Sequence, residues 1–542
     1  MTPSHEHQAR SGSPAPHPSS PGRSGRSRAR AAALVAAAAT LSAAAALTAG
    51  PAQASSAAPA AKAATLSPQV RHTGSGPTGY TVTFRYRDPS ASRVQIKGEW
   101  YFSDAAHSSS TSSQGLLPTQ WTKGDFPIAY PNATAANWPV LDLTRGSAGV
   151  WSLTLPLPSG TFTYGFFVNC ADDTGAGCTE VADPANPPWN SAGGTSTGSV
   201  EPDSEVYVPS DPRFGTADFG WQAPVAPGRR GRLVDVSYPS PQSTSPAGTH
   251  PLAVYTPPGY DPSRKQPYPT LYLSHGGGGQ EVDWSTQGAA GSILDNLIAS
   301  GKVQPMVVVM TNFNGLPDGN EGYAQDVLQN VIPYVQAHYH VSADAADRAF
   351  AGLSAGGSRA NTLLFDHTSA FGYYSVMSTG GGVPTTVTPA QVAALDSLSG
   401  LQVGGGLQDP IRANTLGEQQ LLTGAGVPFT DDSVNGGHEW YVWRILLHDF
   451  LAGQAFKATS TSVAAGSGRG SGTVTARVAA ASTGPAPTGT VRFTVDGRST
   501  TVRLVHGAAT LKVEVPRGGG HSVTAVYSGD ALHSGSRATA RL

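Results

Sequence analysis

Apolar and polar positions alternate at period two along the first patterned stretch of the chain, in Tyr80-Thr81-Val82-Thr83-Phe84-Arg85-Tyr86, in Val94-Gln95-Ile96-Lys97-Gly98-Glu99-Trp100 and in Trp151-Ser152-Leu153-Thr154-Leu155. Such alternation is the mark of a strand with one face buried. A further run, 161–168, follows the turn Pro158-Ser159-Gly160. These runs predict an antiparallel β-sandwich over residues 66–210. Pro224, Pro227, Gly228 and Gly231 give residues 211–231 the chemistry of a linker. The rhythm then changes. Between 232 and 456, short apolar runs at 232–238, 251–256, 270–274, 306–311, 348–353, 373–377, 401–404 and 428–433 alternate with helical periodicity at 292–298, 323–338, 356–366, 413–422 and 439–451. That order predicts an α/β domain with a mainly parallel sheet covered by helices on both faces. Beyond Gly453 the period-two pattern returns, at 490–495 before the turn Asp496-Gly497, then at 509–513 and 522–527. A second sandwich over 457–542 is the economical reading.

The N-terminal stretch belongs to none of these units. Arg23, Arg26, Arg28 and Arg30 precede the apolar run 31–47 and the small-x-small site Ala52-Gln53-Ala54. This reads as an export signal over 1–54, followed by an Ala/Ser/Pro-rich linker over 55–65. The expected location is therefore outside the cell, where the two cysteines, Cys170 and Cys178, form a disulfide that pins one local loop. Only 13% of the 542 residues are charged and the net charge is -2. No field of that size draws in nucleic acid or an anionic membrane, and no partner of either kind is expected.

Serine chemistry is the one reaction the motifs point to. A Ser hydroxyl needs a base to take its proton and donors for the oxyanion that follows. The form G-x-S-x-G occurs at Gly194-Thr195-Ser196-Thr197-Gly198, where no strand precedes it, and at Gly352-Leu353-Ser354-Ala355-Gly356, between a predicted strand and a predicted helix. Only the second has the strand-to-helix bend that exposes a nucleophile in α/β-hydrolases, so Ser354 is the candidate. The oxyanion donors are expected from the amide of Ala355 and from the glycine loop His275-Gly276-Gly277-Gly278-Gly279, with Gly277 favoured and Gly276 next to it. His275 is expected to order that loop. For the base, His438 lies between a predicted strand and the last helix, whereas His367 ends the helix after Ser354 and His448 lies inside the final helix. Asp409, after the strand at 401–404, is the candidate acid; Asp396 precedes that strand, Glu418 is on a helix, and Asp431 and Asp432 are close in sequence to His438. Trp284, Asn312, Phe313 and Trp440 are candidates for the substrate pocket. No residues have zinc-ligand spacing and no Walker loop occurs, so neither a metal nor another cofactor is implied.

Taken together, Val254-Tyr255-Thr256-Pro257-Pro258-Gly259-Tyr260-Asp261, the segment 271–277, Ile332-Pro333-Tyr334 with Tyr339, the segment 348–357 and Gly437-His438 resemble the esterase-D branch of α/β-hydrolases. That branch includes feruloyl esterases, enterochelin esterases and antigen 85 mycolyltransferases. The resemblance implies Ser354 as nucleophile, Asp409 as acid and His438 as base. It departs at Ala355, where relatives often have Met, and in the four consecutive glycines of the oxyanion loop. The upstream region, at 82–100, Gly149-Val150-Trp151 and Ala182-Asp183-Pro184-Ala185-Asn186-Pro187, resembles an early-set immunoglobulin-like domain, and the tail resembles bacterial Ig-like repeats. The expected function is a secreted serine esterase acting through an acyl-enzyme on a small or polysaccharide-linked ester, with feruloyl and acetyl esters of polysaccharides foremost. An acyltransferase of antigen 85 type, and a carbohydrate or cell-wall adhesion protein with an inactive hydrolase domain, are the alternatives. Carbohydrate or cell-wall contact is expected of the flanking sandwiches.

Overall fold

In the computed structural model, residues 66–129, 131, 139–172, 175, 178–189, 203–467, 472–514 and 521–541 are described. The predicted export signal, the linker 55–65 and the pentapeptide 194–198 lie outside them.

The N-terminal region forms two four-stranded antiparallel sheets. One holds Gln69–His72, Tyr80–Arg87, Val150–Leu155 and Thr144–Arg145, and the other Ser204–Val208, Gly160–Val168, Val94–Gly98 and Leu141–Asp142. Alternate residues turn inward, so that Val82, Phe84, Val94, Ile96, Trp151, Phe162, Tyr164 and Val206 share one core. Cys170 and Cys178 are disulfide-bonded, with Cα atoms 5.6 Å apart. Residues 211–231, expected as a linker, instead wind into short 3-10 turns at Pro212–Phe214, Gly220–Gln222 and Pro227–Arg229. Asn296 fixes that segment by donating to the carbonyls of Trp221 and Ala223.

The central domain carries an eight-stranded sheet made of β1 (Arg232–Thr244), β2 (Ala247–Thr256), β3 (Thr270–Ser274), β4 (Val307–Thr311), β5 (Arg348–Leu353), β6 (Tyr373–Met377), β7 (Gly400–Gly406) and β8 (Thr430–Val434), in the order β1-β2-β4-β3-β5-β6-β7-β8. The sheet is mixed. β2 pairs antiparallel with β1, to which only two residues join it, and antiparallel with β4, while every pairing from β4 to β8 is parallel. The continuous apolar runs of the parallel strands follow from burial on both faces. Leu271, Leu273, Val308 and Met310 face one core, built on α2 (Ala290–Ala299) and α8 (Trp440–Gly453), beyond the one-turn α1 (Asp283–Thr286). Tyr272, Val307 and Val309 face the other. That second core is closed by α3 (Gly319–Asp326), α4 (Ile332–His338), α5 (Ala355–Asp366), α6 (Pro389–Leu395) and α7 (Arg412–Ala425).

The tail folds into a three-stranded sheet (Thr459–Ser467, Gly472–Ala480, Ala508–Val513) and a four-stranded one (Arg498–Arg503, Thr490–Val495, Ser522–Tyr527, Ser536–Arg541) around Val474, Val491, Phe493, Val523 and Tyr527. No helix among the described residues is long and apolar enough to cross a membrane.

Candidate active site

The chain reverses sharply where β5 meets α5, and Ser354 sits at the bend with φ 53° and ψ -117°. An L-residue rarely adopts that conformation, and it persists only where its surroundings impose it. Two glycines make the bend possible. A Cβ at Gly352 would lie 2.2 Å from the Gly356 carbonyl oxygen, and one at Gly356 would lie 2.4 Å from that of His275. The Ser354 amide donates to the Met377 carbonyl at 2.9 Å, and its own carbonyl accepts from the Ser358 amide at 3.1 Å.

His438 follows β8 and brings its Nε2 to 2.8 Å from Ser354 Oγ. Its Nδ1 lies 2.9 Å from Asp409 Oδ2 in the turn after β7. The Asp409 carboxylate is almost fully buried. Burial raises its pKa, but bonds from His438, the Ile411 amide and the Ser378 hydroxyl outweigh that and hold the carboxyl below its ordinary range. An ionised Asp409 favours the tautomer with hydrogen on Nδ1, which leaves Nε2 a lone pair for the Ser354 proton. The other candidates are engaged elsewhere. Glu418 accepts from Thr379 and Asn361, Asp431 from Gln419 and Ser433, and Asp432 from Gln402, while Asp396 is exposed at the end of α6. His367 pairs with Glu321 and His448 with Asp449.

The glycine loop after β3 lies against the same serine. A Cβ on Gly276 would be 3.5 Å from Ser354 Cβ, and one on Gly277 would be 3.8 Å from Ala355 Cβ. Ala355 opens α5, so its amide has no acceptor within the helix and stands at the helix's positive end. His275, fully buried, holds the loop from inside. Its Nδ1 donates to the Gly276 carbonyl at 2.7 Å, its Nε2 accepts from the Phe313 amide at 3.4 Å, and its ring stacks on Phe313. Desolvation lowers its pKa to about 4, so it stays neutral.

A cavity of about 210 Å³ opens over Ser354, lined by the glycine loop, Gln287, His438, Trp440 and Trp443. Of the four side chains expected to line a pocket, Trp440 does so. The other three are held elsewhere: Trp284 is buried with its indole N–H on the Ser274 carbonyl, Asn312 donates to Glu281, and Phe313 lies between His275 and the Arg359 guanidinium. Trp443 was not among those expected, although it lies one turn beyond Trp440 on α8; its ring meets the His438 imidazole edge-on at 5.0 Å. Among the described residues, no group of three or more His, Cys, Asp or Glu side chains is placed to hold a metal ion.

This fold, with Ser, His and Asp in line at the strand-to-helix bend, defines an α/β-hydrolase domain. More narrowly, residues 243–383 match the model of a family described as putative esterase, and residues 456–541 match that of a bacterial Ig-like domain of group 3. It is similar to an endo-1,4-β-xylanase/feruloyl esterase of Xylanibacter ruminicola, 33% identical over 218 residues, covering 38% of this chain and 29% of that protein. It is also similar to endo-1,4-β-xylanase Y of Acetivibrio thermocellus, 37% identical over 138 residues, covering 23% of this chain and 12% of the relative. The chain thus spans less than a third of either relative. Among solved structures, a feruloyl esterase module of Clostridium thermocellum complexed with sinapinate is 25% identical at a TM-score of 0.39, covering 44% of this chain and 92% of the module. The enterobactin esterase of Shigella flexneri is 18% identical at a TM-score of 0.42, covering 69% and 92%.

Proposed function

We propose that the protein is a secreted carboxylic ester hydrolase that works through an acyl-enzyme on Ser354. The observation that carries this reading is the unbroken line from Ser354 Oγ through the His438 imidazole to Asp409, at 2.8 and 2.9 Å. His438 takes the hydroxyl proton as Oγ attacks the ester carbonyl, and the oxyanion turns toward the amides of Gly277 and Ala355. Protonated His438 then gives its proton to the departing alcohol, and the acyl group stays on Ser354. Water, deprotonated by the same imidazole, attacks the acyl carbon and restores the serine. Asp409 remains ionised and keeps the ring oriented throughout.

Feruloyl or acetyl esters of polysaccharides are the substrates we favour. The relative from Xylanibacter ruminicola has both xylanase and feruloyl esterase in its name, and Trp440 and Trp443, set edge to face, give the cavity an aromatic corner against which an aryl acyl group packs. Export is supported by the basic and apolar N-terminal stretch and by the disulfide. The test is a panel of aryl, feruloyl, acetyl and lipid esters on the mature chain and on Ser354→Ala. Acid release into water that vanishes in the variant is the expected result. Release that depends on an added alcohol acceptor would replace hydrolysis with transfer, and an unreactive Ser354 toward a fluorophosphonate would remove the catalytic reading.

A further inference from the structure

Beside the cavity over Ser354 lies a second one, of about 230 Å³, and His438 lines both. One wall comes from the α/β domain, with Gln408, Pro410 and Glu439. The other comes from the N-terminal region, through Ile128 and five consecutive hydroxyl residues, Ser109, Ser110, Thr111, Ser112 and Ser113. These five are held as a turn. The Ser109 amide donates to the Ser112 carbonyl at 2.8 Å, the Ser109 and Ser112 hydroxyls share a bond of 2.9 Å, and the Ser113 hydroxyl donates to the Ala129 carbonyl at 2.9 Å.

We infer that this second cavity is the subsite for the alcohol half of the ester, and that it takes an uncharged, polyhydroxylated alcohol, a sugar. The inference rests on the serine hydrolase reading above and adds to it where each half of the substrate lies. Four groups surround the carbonyl carbon in the tetrahedral intermediate. The oxyanion faces Gly277 and Ala355, the acyl chain occupies the cavity over Ser354, and the leaving oxygen has to come within reach of His438 Nε2 to receive its proton. The alcohol therefore departs on the side of His438, into the space that His438 shares with the hydroxyl turn.

The lining sets the chemistry of that alcohol. Each Ser or Thr hydroxyl is one donor and two acceptors; the Ser113 donor and one from the Ser109–Ser112 pair are used within the protein, and the remaining donors and acceptors line the cavity with the Gln408 amide, whose Oε1 already accepts from the Gly436 amide at 2.8 Å. Such an array matches neighbouring hydroxyls on a sugar ring, while Ile128 and Pro410 meet its C–H faces. Among the described residues, no Lys or Arg lines the cavity to hold an anionic alcohol. Burial raises the Glu439 carboxyl well above the ordinary range, which disfavours its charged form.

The experiment uses the full mature chain. Thr111 is exposed at the tip of the turn, so Thr111→Trp fills the cavity without disturbing a core. Methyl ferulate and a feruloylated arabinose–xylose oligosaccharide carry the same acyl group on a small and on a sugar alcohol. The expected result is a rise in KM of about tenfold or more for the oligosaccharide ester, the effect of losing roughly 1.4 kcal/mol, with methyl ferulate turnover unchanged. Equal changes on both esters, or none on either, would overturn the subsite. If neither ester is cleaved, the feruloyl assignment fails by itself, and titration of Ser354→Ala with the unesterified oligosaccharide decides the matter. Binding that Thr111→Trp abolishes supports the subsite; absent or undiminished binding overturns it.

Discussion

A hydroxyl becomes a nucleophile only when its geometry is held against strain, and Ser354 is held by backbone on three sides: Met377, Ser358 and the two glycines of the bend. Removing the hydroxyl in Ser354→Ala is expected to lower kcat by about 10⁵- to 10⁶-fold. Asp409→Asn keeps the shape of the acid but favours the wrong imidazole tautomer, and a kcat loss of about 10⁴-fold with KM nearly unchanged is expected in steady-state kinetics. Gly356→Ala places a methyl 2.4 Å from the His275 carbonyl. The oxyanion loop must then move, and urea unfolding should show a loss of about 1–3 kcal/mol together with a lower kcat. Which residues meet at Ser354 was legible in the sequence, since each follows a recognisable strand. Where the pocket side chains point was not. Trp284 follows the glycine loop and Asn312 and Phe313 follow β4, but their side chains are turned by hydrogen bonds to Ser274 and Glu281 and by stacking on His275, none of which periodicity encodes.

At the scale of elements, the parallel strands were plain from their apolar runs, and their ends differ from the expected ones by a few residues at most. The helix expected over 323–338 begins earlier, at Gly319, where the polar run Asn320-Glu321-Gly322 hides it, and passes through a π-helical turn at Val327–Val331 before α4. The single turn α1 is too short for a period to register. On α7, Glu418 is buried, and desolvation raises its pKa to about 7 despite bonds from Thr379 and Asn361. Its folded value exceeds the unfolded one of about 4.3, so in that window the folded chain keeps a proton that the unfolded chain releases. This contribution to stability is present at low pH and is lost as pH rises toward 7, by up to about 3 kcal/mol. Urea midpoints measured from pH 4.5 to 7 should fall less steeply in Glu418→Gln than in the parent.

Across the whole molecule, Arg444 ties the N-terminal sandwich to the catalytic domain. It is buried on α8, donating to the Thr161 carbonyl at 2.7 Å and the Gln287 carbonyl at 2.8 Å, and pairing with Glu99 at 3.2 Å. Arg444→Met keeps much of the volume but leaves those acceptors and a partly buried carboxylate unmet. A cost of about 3–5 kcal/mol is expected, seen by calorimetry as earlier melting of the sandwich. Contacts between residues so far apart in the chain leave no local pattern, which is why the place of residues 109–113 in the cavity beside His438 was invisible before the structure.

The C-terminal sandwich is seated just as firmly. Lys457 donates to the Lys302 and Ala531 carbonyls at 2.7 Å each, Ser482 donates to the Phe456 carbonyl at 2.9 Å, and the Thr483 amide bonds the Asp347 carboxylate. A module mounted this way cannot swing like a bead on a string. Any long polymer it gripped would be offered to the serine at one fixed bearing, so cleavage would fall at a set spacing from the grip and not at random along the strand.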